Sequence, residues 1–399
     1  MRSRHFALLL IVSTIFAGIC PSHTNGEKDH LMKICGRRGM QDTISERIIN
    51  GTPATPGHWP WMVGLYTAED RFHCGGILIS SQFVLTAAHC YRDKSTTGFL
   101  SVRLGSTKIT NYTVHCQQNT GKNGHLEKSD TTVIHEDLED QIICMDVDHV
   151  CIPLQDNCTL FIKDLALLKL RKPVNFTKYI KPICLPEHCE DPPSNVNMYG
   201  VGWGRVDEFY PFDVNNYDET DESLNEEDED AVHFDGGESS EEETNDASTS
   251  EPEGIFISFD PKTLMERNIS IITNDECKRQ LATSVPTYAL CSNGGICYGD
   301  SGGPLMYQKD GQWFLGAIHS VAGGDCYNPV RPAIHVRVSH FVSNFILPFI
   351  REYEESESTK HNLCIKDEDR KECVTTFYNS YNASIDDSGE DEETIVLKS

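Results

Sequence analysis

The sequence predicts an all-β protein, either a barrel or a sandwich, on three observations. Its apolar runs are short, turn residues separate them, and helical signals are few. Runs of about four to eight residues suit strands, because a core helix needs a longer periodic segment. Six such runs carry the prediction: 59–66, 76–79, 83–87, 99–104, 165–170 and 313–320.

Two segments predict helices instead. Thr273 and Glu276 have the spacing of a capping box, which predicts a short helix running through Cys277. A second short helix is predicted near the C-terminus, where an aromatic residue recurs at every fourth position, namely Phe341, Phe345 and Phe349. Pro348 is expected to kink or stop that helix.

The N-terminus has the composition of a secretory signal peptide. Arg2 and Arg4 precede an apolar run from residue 6 to about residue 18. That run is short for a bilayer-spanning helix, so a signal anchor is the less favoured alternative, and no later stretch is long and apolar enough to span. We therefore expect a signal peptide over residues 1–20, a secreted protein and no membrane span.

Cysteine usage agrees with an extracellular location. Sixteen cysteines without a close Cys-x-x-Cys repeat favour disulfides over a metal cluster, and we expect neither a metal nor a cofactor. Six Asn-x-Ser/Thr sequences permit glycosylation, at Asn50, Asn111, Asn157, Asn175, Asn268 and Asn382.

The formal net charge of −27 is concentrated in two segments. Residues 207–253 contain 20 acidic residues and no Lys or Arg, and residues 352–399 carry 14 acidic against 5 basic residues. The rest of the chain is close to neutral, at about +2. Such acidic tracts disfavour nucleic acid and anionic membranes as partners, and the low apolar content of 207–253 predicts a disordered insert.

The segment 299–304 reads Gly-Asp-Ser-Gly-Gly-Pro and is the most informative motif. Glycines on either side of a serine suit a tight turn that projects Oγ of Ser301 outward. The N–H groups of Gly299 and Ser301 can then converge on one point, as an oxyanion hole requires. Taken alone, the motif also fits a glycine-rich turn with an inert serine.

Three further positions are candidates for the same chemistry. His89 follows an apolar strand and neighbours Cys90, and Asp164 precedes the apolar run 165–170. A solvated histidine and a surface acid are the plain alternatives. Arg47 followed by Ile48 has the form of a cleavage junction, from which a freed ammonium can enter an apolar pocket and pair with a buried acid. Taken alone, the pair fits an ordinary basic-apolar boundary better.

Together these segments resemble the chymotrypsin-like (trypsin-family) serine endopeptidases. The motifs occur in the family's order: Ile48-Ile49-Asn50-Gly51, Trp59-Pro60-Trp61, Cys74-Gly75-Gly76, Thr86-Ala87-Ala88-His89-Cys90, Asp164-Leu165-Ala166-Leu167-Leu168, Gly202-Trp203-Gly204 and segment 299–304. The resemblance implies two six-stranded β-barrels with the active site between them and a short C-terminal helix. It also implies a pro-segment at 21–47, a peptidase domain over 48–351 and an acidic tail over 352–399.

The resemblance implies catalytic roles for the matching residues. Ser301 is the implied nucleophile and His89 its general base and then its general acid. Asp164 is implied to orient His89 and to stabilise its imidazolium. Gly299 and Ser301 supply the implied oxyanion hole, and Ser320 falls where the family hydrogen-bonds the catalytic aspartate.

Activation is implied in the same way. Cleavage after Arg47 would free the amino group of Ile48 to pair with Asp300. We therefore predict the zymogen of a secreted serine endopeptidase that acts on proteins or peptides. Its expected partners are an activating trypsin-like protease and inhibitors of serine proteases. A non-catalytic binding or regulatory module on the same scaffold is the alternative.

The resemblance further implies four disulfides, Cys35–Cys184, Cys74–Cys90, Cys277–Cys291 and Cys297–Cys326. Another family bridge is absent, because Met198 and Tyr307 occupy its two positions. The remaining cysteines are unassigned, except that Cys364 and Cys373 are close enough in sequence for us to expect a local pair.

The implied specificity pocket is apolar. Gly295 takes its base, where relatives that cleave after Arg or Lys carry aspartate. A pocket without a fixed anion disfavours a basic side chain, so we expect cleavage after medium-sized apolar residues. The other expected lining residues are Ile296, Ser320, Ala322 and Ala333, with His335 nearby as a neutral imidazole. Segment 139–163 is expected to enlarge a loop that overhangs the cleft.

Overall fold

The computed structural model describes residues 34–38, 51–91, 101–109, 132–133, 142–154, 163–187, 190–192, 197–211, 254–323, 331–355 and 363–364. The expected signal peptide, the junction at Arg47 and Ile48, residues 212–253, Cys326 and most of the tail lie outside these ranges. Within them, no helix combines the length and the apolar character that crossing a membrane requires.

The first half of the domain is a closed six-stranded barrel. A short strand β1 (Thr52–Pro53) precedes it, and its members are β2 (Met62–Tyr66), β3 (Phe72–Leu78), β4 (Phe83–Thr86), β5 (Ser101–Leu104), β7 (Ile142–Cys151) and β8 (Ala166–Leu170). The strands pair antiparallel in the order β5-β2-β3-β4-β8-β7, and a ladder between β5 and β7 closes the ring. The short β6 (Thr132–Val133) pairs with β7.

The second half is a larger antiparallel sheet. It contains β9 (Met198–Gly202), β12 (Met265–Ile269), β13 (Ile271–Ile272), β14 (Ala289–Ser292), β15 (Pro304–Lys309), β16 (Gln312–Val321) and β17 (Ala333–Arg337), in the order β1-β12-β9-β15-β16-β17-β14-β13. One residue separates β12 from β13, so a single chain segment pairs with β9 at one end of the sheet and with β14 at the other. The all-β, two-barrel prediction is confirmed in this form.

Burial explains why the apolar runs mark these strands. Each of the six predicted runs overlaps a strand, and β2 and β4 are buried along their whole length. A strand that is covered on both faces needs apolar residues at every position, so its sequence is a continuous run without alternation.

One predicted loop is a strand. Ten residues of segment 139–163 form β7, which pairs with β5 and β8 in the first barrel. The expectation of a loop over the cleft is therefore wrong for residues 142–151. Ile142, Ile143 and Met145 are buried there, so this stretch contributes to the barrel wall.

The acidic insert starts later than predicted. Residues 206–211 form strand β10 (Val206–Pro211), which pairs residue for residue with β11 (Gly254–Phe259). The prediction of disorder is therefore wrong for residues 207–211. The ladder holds the two ends of the insert next to each other, because Pro211 lies opposite Gly254.

Both predicted helices are present. Helix α1 (Asn274–Leu281) is capped by Thr273, whose side chain accepts a hydrogen bond of 3.2 Å from the backbone N–H of Glu276. At the C-terminus, a 3-10 turn (Val338–His340) and a π-helical turn (Val342–Ile346) lead into α2 (Leu347–Glu355). Pro348 neither kinks nor stops α2, because it lies in the first turn, where a backbone N–H has no partner within that helix.

Helix α2 lies against the first barrel. Phe341, Phe345 and Phe349 are all buried, and the ring of Phe349 is 6.2 Å from that of Phe83 on β4. The chain thus returns to the first barrel after completing the second sheet. This return brings the C-terminal Cys364 close to the first barrel, which determines its disulfide partner.

Cys364 pairs with Cys151 at the end of β7, so the predicted local pair with Cys373 is wrong. An isolated β-bridge between Pro153 and Cys364 accompanies the bond. Three of the implied pairs are joined, namely Cys35–Cys184, Cys74–Cys90 and Cys277–Cys291. Cys297 is also in a disulfide, while its implied partner Cys326 is outside the described ranges.

The pro-segment is attached to the second sheet by more than a disulfide. The N–H of Gly36 donates to Pro182 O at 2.8 Å, and the N–H of Trp313 donates to Gly36 O at 2.9 Å. The guanidinium of Arg38 lies 4.0 Å from the ring centroid of Trp59 and 4.4 Å from that of Trp313. Residues 34–38 are therefore bound as part of the domain.

We expect a non-reducing peptide map to recover one disulfide-linked fragment that contains both Cys151 and Cys364. Replacing both by serine should lower the free energy of unfolding by about 2–4 kcal/mol, because the bond closes a long loop. Urea denaturation measures this loss. A fragment that links Cys364 to Cys373 would contradict the fold described above.

Candidate active site

His89 is held rigidly at the end of the first barrel. A 3-10 turn (Ala88–Tyr91) carries it directly after β4, and the Cys74–Cys90 bridge ties that turn back to β3. Buried Thr86, at the end of β4, donates its hydroxyl to Gly75 O at 2.7 Å. The backbone on both sides of His89 is thus fixed to β3.

Asp164 receives hydrogen bonds from both halves of the domain. Asp164 is 1% exposed and lies two residues before β8. From the first barrel, the backbone N–H of His89 donates to Oδ1 at 2.8 Å and His89 Nδ1 lies 2.7 Å from Oδ2. From β16 of the second sheet, Ser320 Oγ donates to Oδ2. The carboxylate therefore joins the two sheets.

The environment keeps Asp164 ionised. Burial by itself raises the pKa of this carboxyl, but the charge of His89 and the hydrogen bonds from His89 and Ser320 outweigh it, so the pKa lies below its usual value. An ionised carboxylate only accepts hydrogen bonds, so Nδ1 of His89 carries the proton. In the neutral ring, Nε2 is then left as a proton acceptor.

Ser301 lies in a turn that requires glycine on both sides. Gly299 and Gly302 have φ angles of 95° and 78°, which L side chains rarely adopt. A Cβ on Gly302 would come within 2.1 Å of Thr86 Oγ1. The N–H of Gly75 donates to Ser301 O at 2.8 Å. The turn is therefore docked against the same backbone that positions His89.

Two N–H groups beside the serine are available to a ligand. The N–H groups of Asp300, Gly302 and Gly303 donate to backbone carbonyls of Cys297, His319 and Asp300. Among the residues that the structure describes, the N–H groups of Gly299 and Ser301 donate to no acceptor. This arrangement is the one that an oxyanion hole needs.

Asp300 points away from this ligand face and into the domain. Its Oδ1 accepts from the N–H of Gly204 at 2.8 Å and its Oδ2 accepts from the N–H of Cys297 at 2.9 Å. Burial raises the pKa of this carboxyl to about 6, against the two hydrogen bonds and the charge of Arg267, which favour the ionised form. Arg267 was not predicted from the sequence.

The expected pocket residues belong to an apolar cluster of the second sheet. Ile296 and Ala333 are buried in it, and Ala322 packs against it. Ile269, which sequence reasoning missed, lies beside the expected base, 3.1 Å from the position of a Cβ on Gly295. Ser320 differs from the others, because its hydroxyl is directed to Asp164.

Two buried histidines lie behind this cluster. Ser292 Oγ donates to Gly294 O at 2.7 Å and lies 2.8 Å from His335 Nε2. His335 Nδ1 lies 3.1 Å from His319 Nδ1. Burial lowers the pKa of His335 to about 3 and that of His319 well below its usual value. The expectation of a neutral imidazole at His335 agrees with this.

Potential metal ligands near the site are already committed. The ligand atoms of Cys74, His89 and Cys90 lie within 4.8 Å of one another. The two sulfur atoms are joined in a disulfide, so they offer no thiolate, and Nδ1 of His89 contacts Asp164. The two cysteines of this group therefore form a structural disulfide, and its histidine contacts Asp164.

Arg267, Ile269 and His319 escaped the sequence analysis for a common reason. Each belongs to a strand whose partners are set by the pairing of the whole sheet. An arginine within Met-Glu-Arg-Asn-Ile carries no local sign that its pKa responds to the charge of Asp300. The pairing of β12 with β9 sets its backbone position opposite Gly200.

The lowered pKa of Asp164 predicts how stability depends on pH. Because the folded-state pKa lies below the unfolded value, the interactions of the carboxylate stabilise the fold above about pH 4 and are lost as the pH falls through the lowered pKa. The difference in Tm between Ser301→Ala and Ser301→Ala/Asp164→Asn should therefore shrink below about pH 4. Ser320→Ala should move the loss to higher pH. A difference that stays constant from pH 7 to pH 2 would contradict this reading.

A comparison with known protein families agrees with the geometry. The family model described as Trypsin matches residues 48–225 and 249–345, which is more than half of the chain. The matched ranges contain His89, Asp164 and Ser301, and the unmatched stretch between them falls within the acidic insert. The chain belongs to the trypsin family of serine peptidases.

Proposed function

We propose that the chain is a secreted zymogen of a serine endopeptidase, which cleavage after Arg47 converts into the active enzyme. Ser301, His89 and Asp164 carry the reaction in this proposal. The observation that supports it most is the hydrogen-bonded unit of Asp164, His89 and Ser320, with the turn of Ser301 docked against the same strands.

The reaction follows from the protonation states of the site. Oγ of Ser301 attacks the carbonyl carbon of the peptide bond while Nε2 of His89 takes the hydroxyl proton. Asp164 stabilises the imidazolium, because its carboxylate already accepts from Nδ1. His89 then gives the proton to the leaving amine, and an acyl-enzyme remains. A water molecule attacks the acyl-enzyme in the same way, with His89 as its general base, and releases the carboxylic acid and Ser301.

The tetrahedral intermediates carry a negative oxygen. The N–H groups of Gly299 and Ser301 stabilise it in this proposal, since they flank the nucleophile and have no other acceptor among the described residues. A single donor of this kind contributes on the order of 10²–10³ in rate.

Activation is proposed to act through Asp300. Its carboxyl is enclosed by Gly204 and Cys297, and its raised pKa indicates that burial is not fully offset. The ammonium of a freed Ile48 would supply a positive charge. Gly51, three residues further on, lies beside β12, since a Cβ there would be 3.5 Å from Glu266 O. We propose that the three residues from Gly51 back to Ile48, which span up to about 10 Å when extended, carry the new terminus to the carboxylate.

Specificity for medium-sized apolar residues is proposed from the pocket. Ile269 and Ile296 bring apolar surface to it, and burying a basic side chain there without an anion is costly. Gly295 has a φ of 92° and is crowded by Ile269, so an aspartate at that position would be strained. Protein or peptide substrates follow from the family, and an activating protease and inhibitors remain proposed partners.

Secretion is proposed from the N-terminal sequence and the chemistry of the domain. Disulfides of this number form and persist in oxidising compartments. Two of the glycosylation sequences lie within the described ranges, and both Asn175 and Asn268 are exposed.

An active-site label tests the activity directly. After limited trypsin treatment, a fluorophosphonate should label the protein stoichiometrically at Ser301, and the untreated protein should label at least about tenfold more slowly, because the activation pair is not yet formed. Mass spectrometry locates the label. Ser301→Ala should abolish labelling, and Arg47→Gln should keep the slow rate after trypsin. Absence of labelling in both states would favour the non-catalytic module.

A peptide library tests the pocket. The cleaved protein should cut after Leu, Met or Val, and Ala322→Gly should raise the relative rate for Phe and Tyr about tenfold, because it removes a methyl group from the wall. Cleavage after Lys, Arg or acidic residues would contradict the apolar pocket. Ala282→Gly, on the far side of the sheet after α1, serves as the control, since its φ of 52° tolerates glycine.

A further inference from the structure

We propose that His335 is a positioning residue, which links the base of the specificity pocket to the part of β16 that contacts the catalytic residues. Its ring lies between Ser292 on the pocket side and His319 on the β16 side. The proposal rests on the proposed function, because it deepens the account of substrate choice at that same site.

The contacts begin at the base of the pocket. Ser292 is the last residue of β14 and is fully buried. Its Oγ donates to Gly294 O at 2.7 Å, and Gly294 directly precedes Gly295, the expected base. The same Oγ lies 2.8 Å from Nε2 of His335 on β17. One hydroxyl group therefore ties the pocket base to β17.

The contacts continue from β17 to the turn that carries the nucleophile. His335 and His319 lie directly opposite each other on β17 and β16, and their Nδ1 atoms are 3.1 Å apart. The backbone of His319 binds the turn of Ser301 twice. Its carbonyl accepts from the N–H of Gly302 at 2.9 Å, and its N–H donates to Gly303 O at 2.9 Å.

A β-bulge in β16 directly follows this pair of imidazoles. The register shifts between His319 and Val321, which leaves Ser320 as the extra residue of the strand. A bulge of this kind redirects a side chain, and Ser320 donates its hydroxyl to Asp164. The contact between the imidazoles therefore fixes β16 at the last regular pair before the bulge that directs Ser320 to the catalytic aspartate.

The two imidazoles suit this linking role because they are neutral. Burial lowers the pKa of His335 to about 3 and that of His319 well below its usual value. A neutral imidazole has one donor and one acceptor nitrogen, so it can join two partners, whereas a phenyl ring can join none. Ser292, His319 and His335 are at most 1% exposed, so the loss of one partner leaves a buried polar group unsatisfied.

The kinetic test measures substrate choice in the cleaved enzyme, with peptides that carry Leu or Phe before the scissile bond. His335→Phe should lower the ratio of kcat/KM for Leu over Phe about fivefold, because the pocket base is no longer fixed against a larger side chain. Ser292→Ala should act similarly, and the double variant should lose no more than the larger single loss, since the residues act as a unit. An unchanged ratio in His335→Phe would overturn the proposal.

The matched control is His149→Phe, the same substitution in the first barrel, where the ring of His149 stacks on Phe349 with centroids 6.0 Å apart. A general loss of stability can lower Tm in this variant, but its ratio of Leu to Phe should equal that of the unaltered enzyme. Equal changes of the ratio in His149→Phe and His335→Phe would show a general loosening of the domain and would count against the positioning role.

A second measurement does not depend on activity and uses Ser301→Ala protein, labelled with 15N-histidine, before cleavage. Nuclear magnetic resonance should show ring N–H signals of His319 and His335 that are protected from exchange with water, because both rings are buried and hydrogen-bonded. His335→Phe and His319→Phe assign these signals. Ser292→Ala should shift the signal of His335, and His149→Phe should leave it in place. Ring protons that exchange freely would refute the chain of contacts.

The two measurements separate the failure of each proposal. Labelling of Ser301 by the fluorophosphonate, together with an unchanged ratio of Leu to Phe in His335→Phe, would keep the peptidase assignment and overturn the inference. Protected ring signals in a protein that never takes up the label would confirm the chain of contacts, but would reject the peptidase assignment and with it the role in substrate choice.

Discussion

The carboxylate of Asp164 is the constraint on which the rest of the site depends. When a charged group is buried, hydrogen bonds from the protein have to replace those from water, because an unsatisfied buried charge destabilises the fold. The donors to Asp164 come from two separate sheets, His89 from the first barrel and Ser320 from β16 of the second. The two halves of the domain must therefore meet in one relative position. That position also sets where the turn of Ser301 lies with respect to the imidazole.

Backbone contacts reinforce this junction. The N–H of Gly75 on β3 donates to Ser301 O, and Gly302 approaches β3 and β4 more closely than any side chain would allow. Behind the turn, Asp300 is anchored by the N–H groups of Gly204 and Cys297. The turn of Ser301 is thus bound to the first barrel through Gly75 and to the second sheet through Asp300. Among the described residues, the N–H groups of Gly299 and Ser301 donate to no acceptor.

Disulfides extend this organisation to both ends of the domain. Cys35–Cys184 attaches the pro-segment to the second sheet, where Arg38 lies over two tryptophan rings that contact each other. Cys151–Cys364 attaches the chain after α2 to the first barrel. The β10–β11 ladder holds together the two ends of the acidic insert. The described residues next to these segments, namely 34–38, 206–211, 254–259 and 363–364, are therefore attached to the domain.

The sequence by itself determined six of the strands, the two helices and the candidate residues of the site, because these depend on local patterns such as short apolar runs, the Thr273 cap and the glycines around Ser301. Its resemblance to a family supplied three joined disulfides and the position of Ser320 beside Asp164. Only the tertiary structure decided that 142–151 is a barrel strand, that Cys364 pairs with Cys151, and that Asp300 accepts a hydrogen bond from the N–H of Gly204. These features join residues that lie far apart in the chain. A contact of that kind depends on how the sheets pair and pack, so the residues next to it in sequence do not predict it.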